Sequence, residues 1–68
     1  MEKISVVFNR LTNTLDVWFD DPEKEWVSEE TGEDVILKKD RNGRVIGFEK
    51  LNVLIAKDTP VPVEVLSI

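Results

Sequence analysis

Four short runs of this chain alternate apolar and polar residues with a period of two, and that alternation constrains the fold more than any other feature. In KISVVFN, Ile4, Val6 and Phe8 point one way, and Ser5, Val7 and Asn9 the other. In TLDVWFD, Leu15, Val17 and Phe19 share a side opposite Asp16 and Trp18. DVILKKD places Val35 and Leu37 on one face, and RVIGFEK does the same with Ile46 and Phe48. Alternation rich in β-branched residues marks half-buried strands, and strands this close in sequence pair antiparallel.

The connections support hairpins. NRLTN, between the first two runs, carries turn formers and no proline. Between the other two stands Asp40-Arg41-Asn42-Gly43, which raises a second question, because Asp and Asn oxygens gathered in a loop can hold a cation. A calcium loop needs acids or amides at alternate positions and a terminal bidentate Glu. This tetrapeptide lacks the middle ligand and the register of the final Glu. Asp40, Asn42 and Gly43 therefore read as a structural turn, type I followed by a left-handed residue that glycine adopts without strain. Gly47, inside the return strand, points to a bulge or to close approach by another backbone.

The expected fold is mainly β: two consecutive antiparallel hairpins in one small sheet. Its core would draw on Ile4, Val6, Phe8, Leu15, Val17, Phe19, Val35, Leu37, Ile46 and Phe48. Two segments are less decided. Asp21-Pro22-Glu23 has the form of a helix start, with Asp as N-cap and Pro at the first position. EWVSEETG, however, has no helical apolar stripe and reads as a loop ending in a short extended piece. In the tail, NVLIAK fits either a short helical turn or more sheet. Pro60 and Pro62 leave one side of the backbone without donors, so any strand there belongs at an edge.

A chain of 68 residues is long enough for one domain, residues 1–68. Domains this small bury only about 60% of their unfolded surface, and most gain stability from disulfides, metals or partner subunits. There is no Cys and no His, which removes disulfides and the usual zinc and haem ligands. Efficient packing or self-association remains. No apolar run approaches a membrane span, and MEKISVVFNR lacks the apolar core of a signal peptide. We expect a cytoplasmic protein.

The run ISVVFNRLTNTLDVWF and the later WVSEETGEDVILKKDRNGRVIGFEKLN resemble the domain of unknown function family 2283, made of short bacterial and archaeal proteins. Phe8 stands at the family's aromatic position, and Asn9 and Asn13 at its two acidic ones. Leu15 and Val17 are the strand apolars and Asp40 to Gly43 the turn. Val45, Gly47, Phe48, Glu49, Leu51 and Asn52 fill the closing motif. The resemblance covers residues 4–52 and leaves 53–68 as a tail. Asn9 and Asn13 replace carboxylates, and Lys38-Lys39 stand where the family tends to carry Asp and an aromatic. The family has no established activity, so the resemblance implies a fold. It also implies a small stand-alone protein and, because some members look like partners of small basic toxin-type proteins, an antitoxin-like role.

Function is read mostly by exclusion. With no His, Cys or Tyr, the common bases and nucleophiles near neutral pH are missing. Asp16 and Glu49 are the carboxylate pair that a pocket would have to tune. No enzyme activity, cofactor or bound metal is expected. Between residues 20 and 34 lie eight acids and one base, a net −7, which leaves +2 for the rest of a chain whose total is −5. Glu23, Glu25, Glu29 and Glu30 in that segment form a candidate interface for a basic protein. The alternative is a small ligand- or divalent-cation-binding patch. Trp18, facing away from the core trio beside Val7, is a candidate anchor of a homodimer unless the tail or Trp26 covers it; Trp26 is a second anchor. Lys38, Lys39, Arg41 and Arg44 surround the second turn without interleaved aromatics, a weak nucleic-acid footprint. The leading expectation is an interaction module that associates with itself.

Overall fold

The computed structural model describes residues 3–54 and 62–68. Five strands form one open antiparallel sheet: β1 (Ser5–Asn9), β2 (Thr14–Trp18), β3 (Val27–Glu30), β4 (Val35–Lys39) and β5 (Val45–Lys50). The order across the sheet is β1-β2-β5-β4-β3. Both hairpins predicted from the alternation are present, β1 with β2 and β4 with β5. They are joined by the β2–β5 pairing, so β3-β4-β5 is a meander beside which β2 lies. This is a Greek-key arrangement whose long connection comes first.

That long connection, residues 19–26, carries the chain from the middle of the sheet to its far edge. Asp21 caps a single 3-10 turn over Pro22–Lys24, its carboxylate accepting from Glu23 N–H at 2.9 Å. The helix signal in the sequence thus yields one turn. The extended piece that follows is longer than a loop ending: Trp26 N–H reaches Lys39 O at 2.8 Å and β3 runs on as a fifth strand. Residues 62–68 form no strand or helix and are exposed, so the edge strand expected in the tail is not found among them. Of the stretch 52–57, which could have been helical, Asn52, Val53 and Leu54 are described and none is helical; residues 55–57 and Pro60 lie outside the described residues.

Two turns are built on one plan. At Asp40–Gly43 the carboxylate Oδ1 accepts from Asn42 N–H and Arg44 N–H, each at 2.9 Å, while Gly43 sits at φ 80°. At the β1–β2 turn Asn9 Oδ1 accepts from Leu11 N–H at 3.0 Å and Thr12 N–H at 3.3 Å, and Asn13 closes the turn at φ 58°. Asn tolerates the left-handed region better than other side-chain-bearing residues. Asn13 does more: it is 2% exposed, and its amide donates to Leu54 O at 2.8 Å and accepts from Leu54 N–H at 3.0 Å. That pair of hydrogen bonds ties the chain beyond β5 to the first hairpin. A carboxylate has no donor for Leu54 O, so here the amide suits the contact better than an acid.

Register explains Gly47. Lys38 faces Gly47 but Lys39 faces Val45, so Ile46 is the extra residue of a bulge in β5. On the other side Gly47 faces Trp18. A Cβ on Gly47 would lie 2.6 Å from Val17 O and 2.8 Å from the Trp18 ring. Both sequence readings of this glycine, bulge and close approach, therefore hold.

Nine of the ten residues assigned to the core share a face, since Val6 opposes Val17, Val17 opposes Phe48 and Phe48 opposes Leu37, whereas Ile4 lies before β1 without a register partner. They do not form a closed core. Ile46 alone is fully buried, at 1% exposure; Phe19 is 44% exposed, Ile4 is exposed, and the others are half-buried. The reason is architectural. The molecule measures 38 × 31 × 20 Å, and among the described residues one sheet has no second layer to bury its apolar side.

Candidate functional site

The acidic segment and the basic turn, separate in sequence, are counter-ions in space. Asp20 lies where β2 ends, its Oδ1 accepting from Asp21 N–H at 2.7 Å, with Lys24 at 3.3 Å and Arg44 at 3.4 Å. The backbone donor is the largest cause holding its carboxyl down to about 2 from 3.8; partial burial opposes the shift and Lys24 reinforces it. Arg44 also reaches the turn-forming Asp40 at 3.5 Å. Glu25 accepts from Ser28 at 2.7 Å and lies 3.6 Å from Lys38. Glu29 pairs with Lys39 at 2.7 Å. The return of β4 alongside β3 creates these contacts, placing Lys38 against Ser28 and Lys39 against Val27.

Of the four glutamates singled out in sequence, then, Glu25 and Glu29 are engaged within the chain. Glu23 and Glu30, with Glu33, are exposed and carry no ion pair among the described residues. The acidic surface open to a partner is smaller than the composition implies.

Trp26 is 66% exposed, and the Arg41 guanidinium stands 4.9 Å from its ring centroid. Together with Glu23, Lys24, Glu25 and Arg44 they line an open cleft of about 410 Å³ between the 3-10 turn and the second hairpin turn. Its charges are of both signs. The two tryptophans are apart in role: Trp18 covers Gly47 and is half-buried, whereas Trp26 faces Arg41.

The face carrying Trp18 is the polar one. One cross-strand row reads Ser5, Trp18, Gly47, Lys38, Ser28, and the next Val7, Asp16, Glu49, Ile36, Glu30. Asp16 and Glu49, the carboxylate pair considered from sequence, are direct cross-strand partners. Lys38 stands 3.9 Å from Glu49, linking that row to Glu25. Among the described residues no three His, Cys, Asp or Glu side chains converge as metal ligands, and no helix there is long and apolar enough to cross a membrane.

The opposite face is the larger feature. Val6, Phe8, Leu15, Val17, Phe19, Val35, Leu37, Ile46 and Phe48 line it, with Phe19 and Phe48 in tilted contact at 6.1 Å between centroids. Glu29 with Lys39, and Lys50, stand at its margins. Alternation alone identifies these residues. What it cannot reveal is that the chain supplies no described layer over them.

The sequence model of the family described as "Protein of unknown function (DUF2283)" matches residues 6–53. No curated protein and no solved structure matches the chain. The match spans well over half of the sequence, and the chain belongs to this family.

Proposed function

We propose that this family member is a non-enzymatic, cytoplasmic interaction module that associates with copies of itself by burying the apolar face of its sheet. One observation carries the reading: nine apolar side chains line that face, and Ile46 alone is buried. An antiparallel sheet is stable with one face in water, but the other must pack on something. Two such faces stack about 10 Å apart, with strands aligned to within about 30°, as in sandwiches. A two-fold axis lets the same patch serve both partners. The marginal charges favour an isologous contact, because Glu29 and Lys39 neutralise each other at 2.7 Å within each chain.

The test is the dependence of stability on concentration. If folding and association are linked, the thermal midpoint rises with protein concentration. Val6→Lys and Phe48→Lys then lower the mass in solution and abolish that dependence, Val6 being the gentler site at the rim of the face. A midpoint independent of concentration, with a mass of one chain, rejects the reading.

A second reading, docking of a basic protein on residues 20–34, draws support from Glu23, Glu30 and Glu33, which are exposed and carry no ion pair among the described residues. It predicts a complex released by salt. The alternative of a cation site has less behind it, since no ligand set converges among the described residues. A thermal shift with Ca²⁺ or Mg²⁺ above that of matched ionic strength would revive it.

A further inference from the structure

The two edges of the sheet are built differently. β3, at one edge, ends in the adjacent glutamates Glu29 and Glu30, and all four of its residues are exposed. Glu29 is paired with Lys39, but Glu30 carries no ion pair among the described residues, and an uncompensated charge of this kind is how sheet edges resist pairing. β1, at the other edge, reads Ser5-Val6-Val7-Phe8-Asn9 and carries no charge and no proline. Among the described residues its outer side pairs with no strand. Val7 is 52% exposed there. An uncharged strand with free backbone donors and acceptors is the template that strand addition requires.

We propose that the outer edge of β1 takes the β1 strand of a second copy, antiparallel and centred on Val7. This surface is distinct from the apolar face. The register follows from the sequence of the strand itself. Centred on Val7, the pairing sets Val7 against the partner's Val7, Val6 against the partner's Phe8, and Ser5 against the partner's Asn9. Each pair matches in character, and residues opposed across antiparallel strands share a face. Val6 and the partner's Phe8 therefore extend the apolar face across the junction, joining two five-stranded sheets into one of ten. No other edge of the sheet offers this, since β2, β4 and β5 are paired on both sides.

Because residue 7 meets its own copy on the two-fold axis, the test is a charge swap. Val7→Lys and Val7→Glu each place like charges face to face, whereas mixing the two variants places Lys against Glu. Lys is accommodated within the chain because position 7 opposes Asp16, and Trp18 fluorescence reports whether each variant is folded. Val7→Thr, uncharged and β-branched, serves as the control. Light scattering is expected to give each charged variant half the mass of the wild type and of Val7→Thr. An equimolar mixture should return to the wild-type mass, with slowed amide exchange across residues 5–9. Wild-type mass in either charged variant alone, or a mixture no heavier than its components, overturns the proposal. The apolar-face reading is tested separately: Phe48→Lys has no opposite-charge partner variant here, and its effect persists in the Val7→Lys background.

Discussion

The two faces of this sheet solve the same problem in opposite ways. On the polar face Trp18 closes over Gly47, and Lys38 bridges Glu25 and Glu49 while its amine donates to Ser28 at 3.3 Å. Trp18 and Lys38 there find their partners inside the chain. On the apolar face partners of the right kind are absent from the described residues, and half-buried Val, Leu and Phe side chains face outward. Polar contacts can be completed by one neighbour at a time, whereas apolar area is relieved only by covering it, at roughly 25 cal/mol per Å². A single layer can therefore be self-sufficient in hydrogen bonds and still be incomplete. Changes to the first kind of contact should weaken the protein equally at all concentrations. Changes to the apolar face should show an effect that dilution alters.

The largest intrachain effect is expected at Gly47. A methyl there meets a backbone carbonyl at 2.6 Å as well as the Trp18 ring, so Gly47→Ala should cost about 3 kcal/mol, the upper end of overpacking. In a domain of this size that is a large share of a total of roughly 3–10 kcal/mol. Urea denaturation measures it, and Trp18→Ala in the same chain should recover part of the loss by removing the ring but not the carbonyl.

Asn13→Asp comes next, at about 2 kcal/mol. It removes the donor to Leu54 O and leaves two acceptors facing each other in a buried site. Asn13→Gly separates the two roles, since it keeps the left-handed backbone and deletes both side-chain bonds. If Asn13→Asp matches the wild type in stability, the contact to Leu54 does not hold the chain beyond β5.

Asp20 gives a smaller effect with a defined pH window. Its folded value, about 2, lies below the ordinary 3.8, so the unfolded chain binds the proton more readily. Its contribution to stability is complete above about pH 4 and fades as pH falls towards 2. Unfolding curves of Asp20→Asn should lose that slope between pH 4 and 2. Smallest of all is Glu29→Gln. The pair with Lys39 is short, but its Glu29 side is exposed, so the change should cost about 0.5 kcal/mol and vanish in high salt. A cost above about 1 kcal/mol would mean this rim is shielded from water, as it would be inside an interface.

What was legible in the sequence was whatever is local or periodic. The turn at Asp40 needs only its own four residues, and its side-chain bonds reach no further than Arg44. Alternation named the apolar face because period two translates directly into one side of a strand. β3 was harder to see. As an edge strand with exposed residues on both sides it needs no apolar alternation, and Glu29-Glu30 mask it as a charged loop. The tie from Asn13 to Leu54 spans 41 positions and has no local signature. The mutual neutralisation of the acidic and basic groups was hidden for a similar reason. Counting charge by segment cannot register that β4 turns back along β3 and sets Lys39 beside Glu29.

The measurement that tests the central claim most directly is the mass in solution of Val7→Lys, by light scattering in about 0.15 M salt, where surface charges are screened beyond about 8 Å. With the β1 edge blocked, only the apolar face is left to join copies. The account predicts two chains, falling to one when Val6→Lys is added. A folded single chain before that second change, at concentrations up to about 1 mM, where an association worth roughly 4 kcal/mol becomes visible, would contradict it.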